Sequence, residues 1–128
     1  MKPLSILVAD DEDSIRALIQ HFLGNAGHTV TVVGNAREAC DVMAKQRFDL
    51  VITDVLMPEG DGIDLITELK KVQPGARILA MSGGGRYLEG SDYLKLARGI
   101  GAHGALMKPF TWAQLQAAMD QALASQPA

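Results

Sequence analysis

Short apolar stretches alternate with helix-patterned stretches along this whole chain, and that alternation limits the folds open to it. Leu4–Ala9 reads as a short buried strand. Ile15, Leu18, Ile19, Phe22 and Leu23 then recur at helical spacing, with Asp13 or Ser14 placed as cap and Gly24-Asn25-Ala26-Gly27 as the stop. Thr29–Val33 is β-branched throughout and forms a second strand pattern, followed by Ala36, Ala39, Cys40 and Met43 at helical spacing. Leu50–Thr53 is a third strand pattern and Ile63–Val72 a third helix, ended by Gln73-Pro74-Gly75. Ile78–Met81 is the fourth strand; a glycine loop then leads to a fourth helix carrying Tyr93, Leu96, Ala97 and Ile100. Ala105–Met107 is a fifth strand. The last helix sets Trp112, Leu115, Met119, Ala122 and Leu123 on one face, behind capping-box spacing from Thr111 to Gln114.

Strands that alternate with helices build a parallel sheet covered on both faces. The expected fold is therefore α/β, a doubly wound five-stranded parallel sheet. Its ligands belong at the carboxyl edge of the strands, where strand order reverses. At 128 residues the chain fits one domain, 1–128, with an ordered core of about 4–124 and Ser125–Ala128 as a frayed tail. No linker or second composition marks an output domain. A single cysteine, Cys40, excludes an internal disulfide and fits a reducing cytoplasm. The apolar runs are too short for a membrane span, and Met1-Lys2-Pro3 does not open a signal peptide. A net charge of −3 gives no general attraction for nucleic acid.

The topology allows a test: the polar residues at each strand's carboxyl end should form one site if they have a shared task. After the first strand come Asp10 and Asp11; at the end of the third comes Asp54; after the fourth, Ser82; after the fifth, Lys108 and then Pro109. Taken singly, each has an ordinary reading. Acids before a helix are caps, Asp13 among them, and Glu12 reads as solvated. Asp54 alone would open a turn, and Ser82 and Lys108 alone would be surface residues. Their coincidence at one edge is what points to chemistry. Three carboxylates at close quarters cannot all ionise cheaply without a cation. Oxygen donors alone favour Mg²⁺, which works beside phosphate groups. Asp54, nearest the lysine and serine, is then arranged to attack phosphorus and become an aspartyl phosphate. Lys108 and Ser82 would bond the transferring oxygens.

These residues resemble the receiver domain of two-component response regulators, in the stand-alone, chemotaxis-regulator-like form. The resemblance runs over essentially the whole chain. It rests on the Asp10-Asp11 pair, Asp54 within Asp54-Val55-Leu56-Met57-Pro58, the following Asp61-Gly62, Ser82, and Lys108-Pro109-Phe110. It implies a flavodoxin-like receiver fold and a phosphoryl group received by Asp54 from a phosphohistidine on a histidine kinase or phosphotransfer protein. It also implies Mg²⁺ held by Asp10 or Asp11, Asp54 and the Leu56 backbone carbonyl, and a cis Lys108–Pro109 bond. The expected role is a phosphoacceptor switch, not an enzyme, that signals through a downstream partner at the face of the fourth helix, fifth strand and fifth helix.

Two departures stand out. Ala105 occupies the position, three before the lysine, where the family carries Tyr or Phe. The segment from Ser82 to Lys108 is about one helical turn longer than usual, within Gly83–Gly90. Tyr87 and Tyr93 are the candidates to fill the volume left at Ala105. A pseudo-receiver that binds partners without phosphorylation is the alternative, and Ala105 is its support. Two related α/β enzymes fit poorly. An aspartyl phosphatase wants a second acid two residues after the nucleophile, where this chain has Leu56. A flavodoxin-type site wants hydroxyls after the first strand, where this chain has acids. Gly83–Gly85 lacks a P-loop pattern. Cys40, Met43, Met57 and Met119 read as packing residues, His21, His28 and His103 as scattered, and Trp112 as either packing or an exposed anchor.

Overall fold

The computed structural model describes residues 3–55, 62–83, 95, 99 and 101–124. Five strands, β1 (Ser5–Ala9), β2 (Thr29–Val33), β3 (Leu50–Asp54), β4 (Arg77–Ser82) and β5 (Gly104–Met107), alternate with helices α1 (Asp13–Asn25), α2 (Ala36–Met43), α3 (Gly62–Val72) and a C-terminal helix (Trp112–Ala124). Lys95 and Gly99 are helical, within the expected fourth helix; the rest of that helix, Tyr87, Tyr93 and most of the glycine loop lie outside the described residues. So do Leu56, Met57, Pro58, Asp61 and the tail.

All strand pairs are parallel, in the order β2-β1-β3-β4-β5. The chain moves outward from β1 to β2 and then returns to β3 on β1's other side. The reversal therefore falls between β1 and β3, and a crevice opens beyond their carboxyl ends.

The strands are apolar on both faces because helices cover both. Alternation sorts their side chains. Ile6, Val8, Leu50, Ile52, Leu79 and Met81 join Ile19 and Leu23 of α1 and Leu115, Met119 and Ala122 of the C-terminal helix. Leu7, Ala9, Val51, Ile78 and Ala80 face the other way, against Ala39 and Met43 of α2 and Leu65, Ile66 and Leu69 of α3. At β5 the C-terminal helix leaves no room for a side chain: a Cβ on Gly104 would lie 3.1 Å from the Ala122 Cβ and 3.2 Å from the Ala118 carbonyl.

Helix ends follow local chemistry. α1 closes on Gly27 at φ +92°, with His28 N–H donating to the Leu23 carbonyl and Gly27 N–H to the Gly24 carbonyl. The capping box forms as expected: Gln114 N–H donates to Thr111 Oγ1, and Thr111 N–H to Gln114 Oε1. α2 has an equivalent cap that the sequence reading missed, with Asn35 Oδ1 accepting from Glu38 N–H. The expected cap of α1 differs. Glu12, not Asp13 or Ser14, is the N-cap residue, and its side chain caps nothing.

At the amino edge of the sheet, buried Gln73 joins three elements. Its amide Nε2 donates to the carbonyls of Met43, the last residue of α2, and of Gln46 beyond it, and its Oε1 accepts from Phe48 N–H ahead of β3. Two histidines act as backbone acceptors: His28 Nδ1 for Leu4 N–H, and His103 Nδ1 for Ile78 N–H. Burial, together with the charges of Lys70 and Arg77, lowers the His103 pKa. The folded state thus prefers neutral His103, whereas the unfolded chain takes up its proton first as pH falls. Stability from this group is complete above the unfolded value of about 6.5 and declines below it, down to the lower folded value. Thermal midpoints should therefore fall between about pH 7 and pH 5, and His103→Asn, which retains an acceptor, should flatten that slope. An unchanged slope in the variant would contradict this role.

Candidate functional site

The four consecutive acids after β1 are separated by one turn. Asp10 is fully buried; its N–H continues the ladder to the Val33 carbonyl, and its Oδ1 accepts from Glu12 N–H at 2.9 Å. That local bond turns the chain back on itself and directs the neighbours differently. Asp11 faces solvent. Asp13, also exposed, pairs with Arg16 in the first turn of α1. Arg16 in addition donates from Nη1 to the Asp10 carbonyl at 2.7 Å, tying the turn to the helix. The repulsion implicit in the sequence is thus relieved by distributing the acids among a buried pocket, a helix cation and water.

Asp54 is the last residue of β3, 5 % exposed, in register with Met81 of β4. Lys108 follows β5, where its N–H donates to the Ser82 carbonyl at 2.9 Å, and its bond to Pro109 is cis. Its stem passes Gly83, where an added Cβ would lie 3.6 Å from Lys108 Cβ and Cδ. From there Nζ reaches across the sheet edge, donating to Asp54 Oδ2 at 2.8 Å and to Glu12 Oε1 at 3.3 Å. It also ion-pairs with Asp10 Oδ2 at 2.7 Å. This last contact lacks hydrogen-bond geometry, leaving Asp10 Oδ2 buried without a hydrogen bond.

Burial works against both charged partners, to different effect. For Lys108 it favours the neutral amine, but the short contacts to the charged Asp10 and Asp54 carboxylates outweigh it and hold the ammonium protonated above its ordinary range. For Asp10 burial dominates. Its pKa is raised although Lys108 and the Glu12 N–H favour the carboxylate.

The structure thus brings Asp10, Asp54 and Lys108 into contact and sets Ser82, 1 % exposed, on the same edge at the end of β4. Asp11 is not drawn in, and Leu56 lies outside the described residues. Glu12 takes the third position instead. Oxygens of Asp10, Glu12 and Asp54 lie within 4.8 Å of one another. This all-oxygen donor set, with one buried oxygen lacking a hydrogen bond, fits a hard divalent cation. Glu12 and Arg16 were missed in the sequence reading. The Asp13–Arg16 spacing was the available signal for the arginine.

The other singled-out residues pack. Trp112 stacks on Phe22 of α1, ring centroids 5.3 Å apart, which decides its role in favour of packing. Cys40 lies partly buried against the α2–α3 side of the core, its thiol pKa raised by burial and by Glu68 and Asp41. Ala105 is half-buried and borders a groove of about 440 Å³ between β5 and the C-terminal helix, floored by Leu106 and Ala118. No helix among the described residues is long and apolar enough to cross a membrane.

A family model for the response regulator receiver domain matches residues 6–120, a span that includes every element of this edge. The chain belongs to that family. Among curated relatives, this receiver is 38% identical over 125 residues to the DNA-binding transcriptional regulator NtrC of Azospirillum brasilense, covering 98% of this chain and 25% of that protein. It is 35% identical over 121 residues to the transcriptional regulatory protein ZraR of Escherichia coli K12, covering 94% and 26%. The chain thus spans about a quarter of the length of these relatives. Among solved structures, the Vibrio cholerae chemotaxis protein CheY4 matches with a TM-score of 0.84 at 28% identity, covering 95% of this chain and 100% of that one. A Burkholderia pseudomallei response regulator, solved with a phosphorylated aspartic acid, calcium ion and citrate, matches at 0.78 and 27% identity, covering 89% and 65%.

Removing the cation of a buried ion pair strands its carboxylates. Lys108→Ala should therefore cost about 3–5 kcal/mol of unfolding free energy in metal-free buffer. The double variant Asp10→Asn/Lys108→Ala should recover part of it. Denaturant titration measures both, and a loss below about 1 kcal/mol would show that Lys108 is not needed to compensate these acids.

Proposed function

We propose that this receiver accepts a phosphoryl group from a phosphohistidine on a histidine kinase or phosphotransfer protein, onto Asp54, and signals by altered partner binding. The observation that carries the reading is the Lys108 ammonium 2.8 Å from Asp54 Oδ2, beside buried Asp10. The aspartyl phosphate of the Burkholderia relative supports it. An Asp54 oxygen attacks phosphorus, and the O–P bond forms as the P–N bond to the partner's imidazole breaks. The bonding electrons remain on that nitrogen, and a histidine already protonated on its second nitrogen departs as neutral imidazole. Lys108 and the Ser82 hydroxyl donate hydrogen bonds to the transferring oxygens, as pre-oriented groups that need little reorganisation. Mg²⁺ would draw charge from the phosphoryl group; its proposed ligands are Asp10, Asp54, the Leu56 carbonyl and Asp11 turned in from solvent, a set that leaves Glu12 to Lys108.

This activity belongs to a switch, working in the cytoplasm, whose product is its own modified state. For the downstream partner we assign the face around the β5 groove and the C-terminal helix, where Met107 is 47% exposed. A pseudo-receiver remains the second reading because of Ala105: the groove beside it has no aromatic from that position. Metal dependence separates the two.

Asp54→Asn should abolish the single-phosphoryl mass gain seen after incubation with acetyl phosphate and Mg²⁺, while Lys108→Gln should slow it. Full labelling of Asp54→Asn would remove the assignment. Mg²⁺ should also raise the thermal midpoint, by the equivalent of about 2.7 kcal/mol at a hundredfold excess over Kd. Asp10→Ala should erase that rise and Asp11→Ala blunt it. Indifference of the wild-type midpoint to millimolar Mg²⁺ would favour the pseudo-receiver.

A further inference from the structure

Lys108 faces more acceptors than its task needs. An ammonium has three hydrogens, and three carboxylate oxygens surround this one: Asp10 Oδ2 at 2.7 Å, Asp54 Oδ2 at 2.8 Å and Glu12 Oε1 at 3.3 Å. Nζ donates to Asp54 Oδ2 and Glu12 Oε1 and is drawn by charge to Asp10 Oδ2, so a phosphoryl oxygen arriving on Asp54 competes with three anions for it, and the most weakly held contact gives way.

Burial decides which. The Asp10 side chain is fully inaccessible and that of Asp54 8% exposed, so neither carboxylate can exchange the ammonium for water. Glu12 is 55% exposed, and its contact is the longest of the three. Its carboxylate can rehydrate as soon as it is released. The Glu12 backbone has a separate duty, donating to Asp10 Oδ1, which changes to its side chain leave intact. Nor does the Glu12 side chain cap α1, so removing its charge costs the helix no bond.

We propose that Glu12 is a positioning residue that parks the Lys108 ammonium in the unphosphorylated receiver and competes with the incoming phosphoryl oxygen for it. This rests on the reading of Asp54 as phosphoacceptor. Glu12 restrains phosphorylation: the more firmly it holds Lys108, the slower the lysine turns to the phosphoryl group. Once the aspartyl phosphate forms, Glu12 is displaced to solvent. Its pull on Lys108 weakens the lysine's hold on the phosphoryl group and so favours hydrolysis, in which water attacks phosphorus, the O–P bond to Asp54 breaks and inorganic phosphate leaves. The residue thus sets both the rate of charging and the lifetime of the charged form, acting through the lysine without touching phosphorus.

The test follows labelling by acetyl phosphate at saturating Mg²⁺, using intact mass, for wild type, Glu12→Gln and Glu12→Ala. Circular dichroism checks that each variant is folded. Both variants should label about two- to fivefold faster, the range that an exposed ion pair can supply. Both should also lose the phosphoryl group more slowly after the donor is removed. In a Lys108→Gln background, followed to the end of its slower labelling, the Glu12 effect should vanish, because the path through the lysine is gone. Equal rates for wild type and Glu12→Gln would overturn the inference. So would an effect that persists without Lys108, since Glu12 would then be acting on the donor's charge. Absence of label on wild type would instead overturn the assignment of Asp54, and this inference with it.

Discussion

Everything at the carboxyl edge depends on one ammonium. Lys108 extends from the end of β5 to Asp54 at the end of β3 and Asp10 beyond β1, so a single cation joins three of the five strand ends. Neither buried carboxylate would be tolerable there as an anion without it. The strand order makes the meeting possible by placing β1 and β3 side by side at the reversal point, with β4 and β5 beyond. Fold and site are therefore one electrostatic problem: the sheet gathers negative charge at its edge, and the same edge supplies the compensating group.

That arrangement also explains why the site can be poised without being rigid. Asp10 is locked by backbone bonds on both sides, from the Glu12 N–H to its carboxylate and from Arg16 to its carbonyl. Asp54 is fixed by its strand register. Glu12 differs from both: its carboxylate is 55% exposed at the mouth of the crevice and meets Lys108 at 3.3 Å. Two fixed acids and one exposed acid thus share the same cation.

Much of this was legible in the sequence because the strand–helix alternation placed Asp10, Asp54, Ser82 and Lys108 at one edge before any contact was known. What was not legible has a common cause. Four acids in a row carry no directional information; which of them turns inward is set by the bond from Glu12 N–H to Asp10 Oδ1, and that bond turned Asp11 outward and left Glu12 at the mouth. The cap of α1 was misplaced for the same reason. Trp112 could not be assigned until Phe22, some ninety residues away in sequence, was found beneath it. Gln73 read only as part of a helix stop, because its three acceptor and donor partners come from segments whose proximity is tertiary.

The position of Gln73 has a mechanical consequence. Its amide ties the end of α3 to the end of α2 and the start of β3, all at the edge opposite the acids. Sliding either helix along the sheet would strip hydrogen bonds from a buried side chain, at about 1–3 kcal/mol for each group left unsatisfied. Tilting a helix about that end would strip none. Displacements of α2 and α3 that keep these hydrogen bonds are therefore rotations about a pinned end. The amide acts as a fulcrum, and the free arms of the levers lie beside the chemistry.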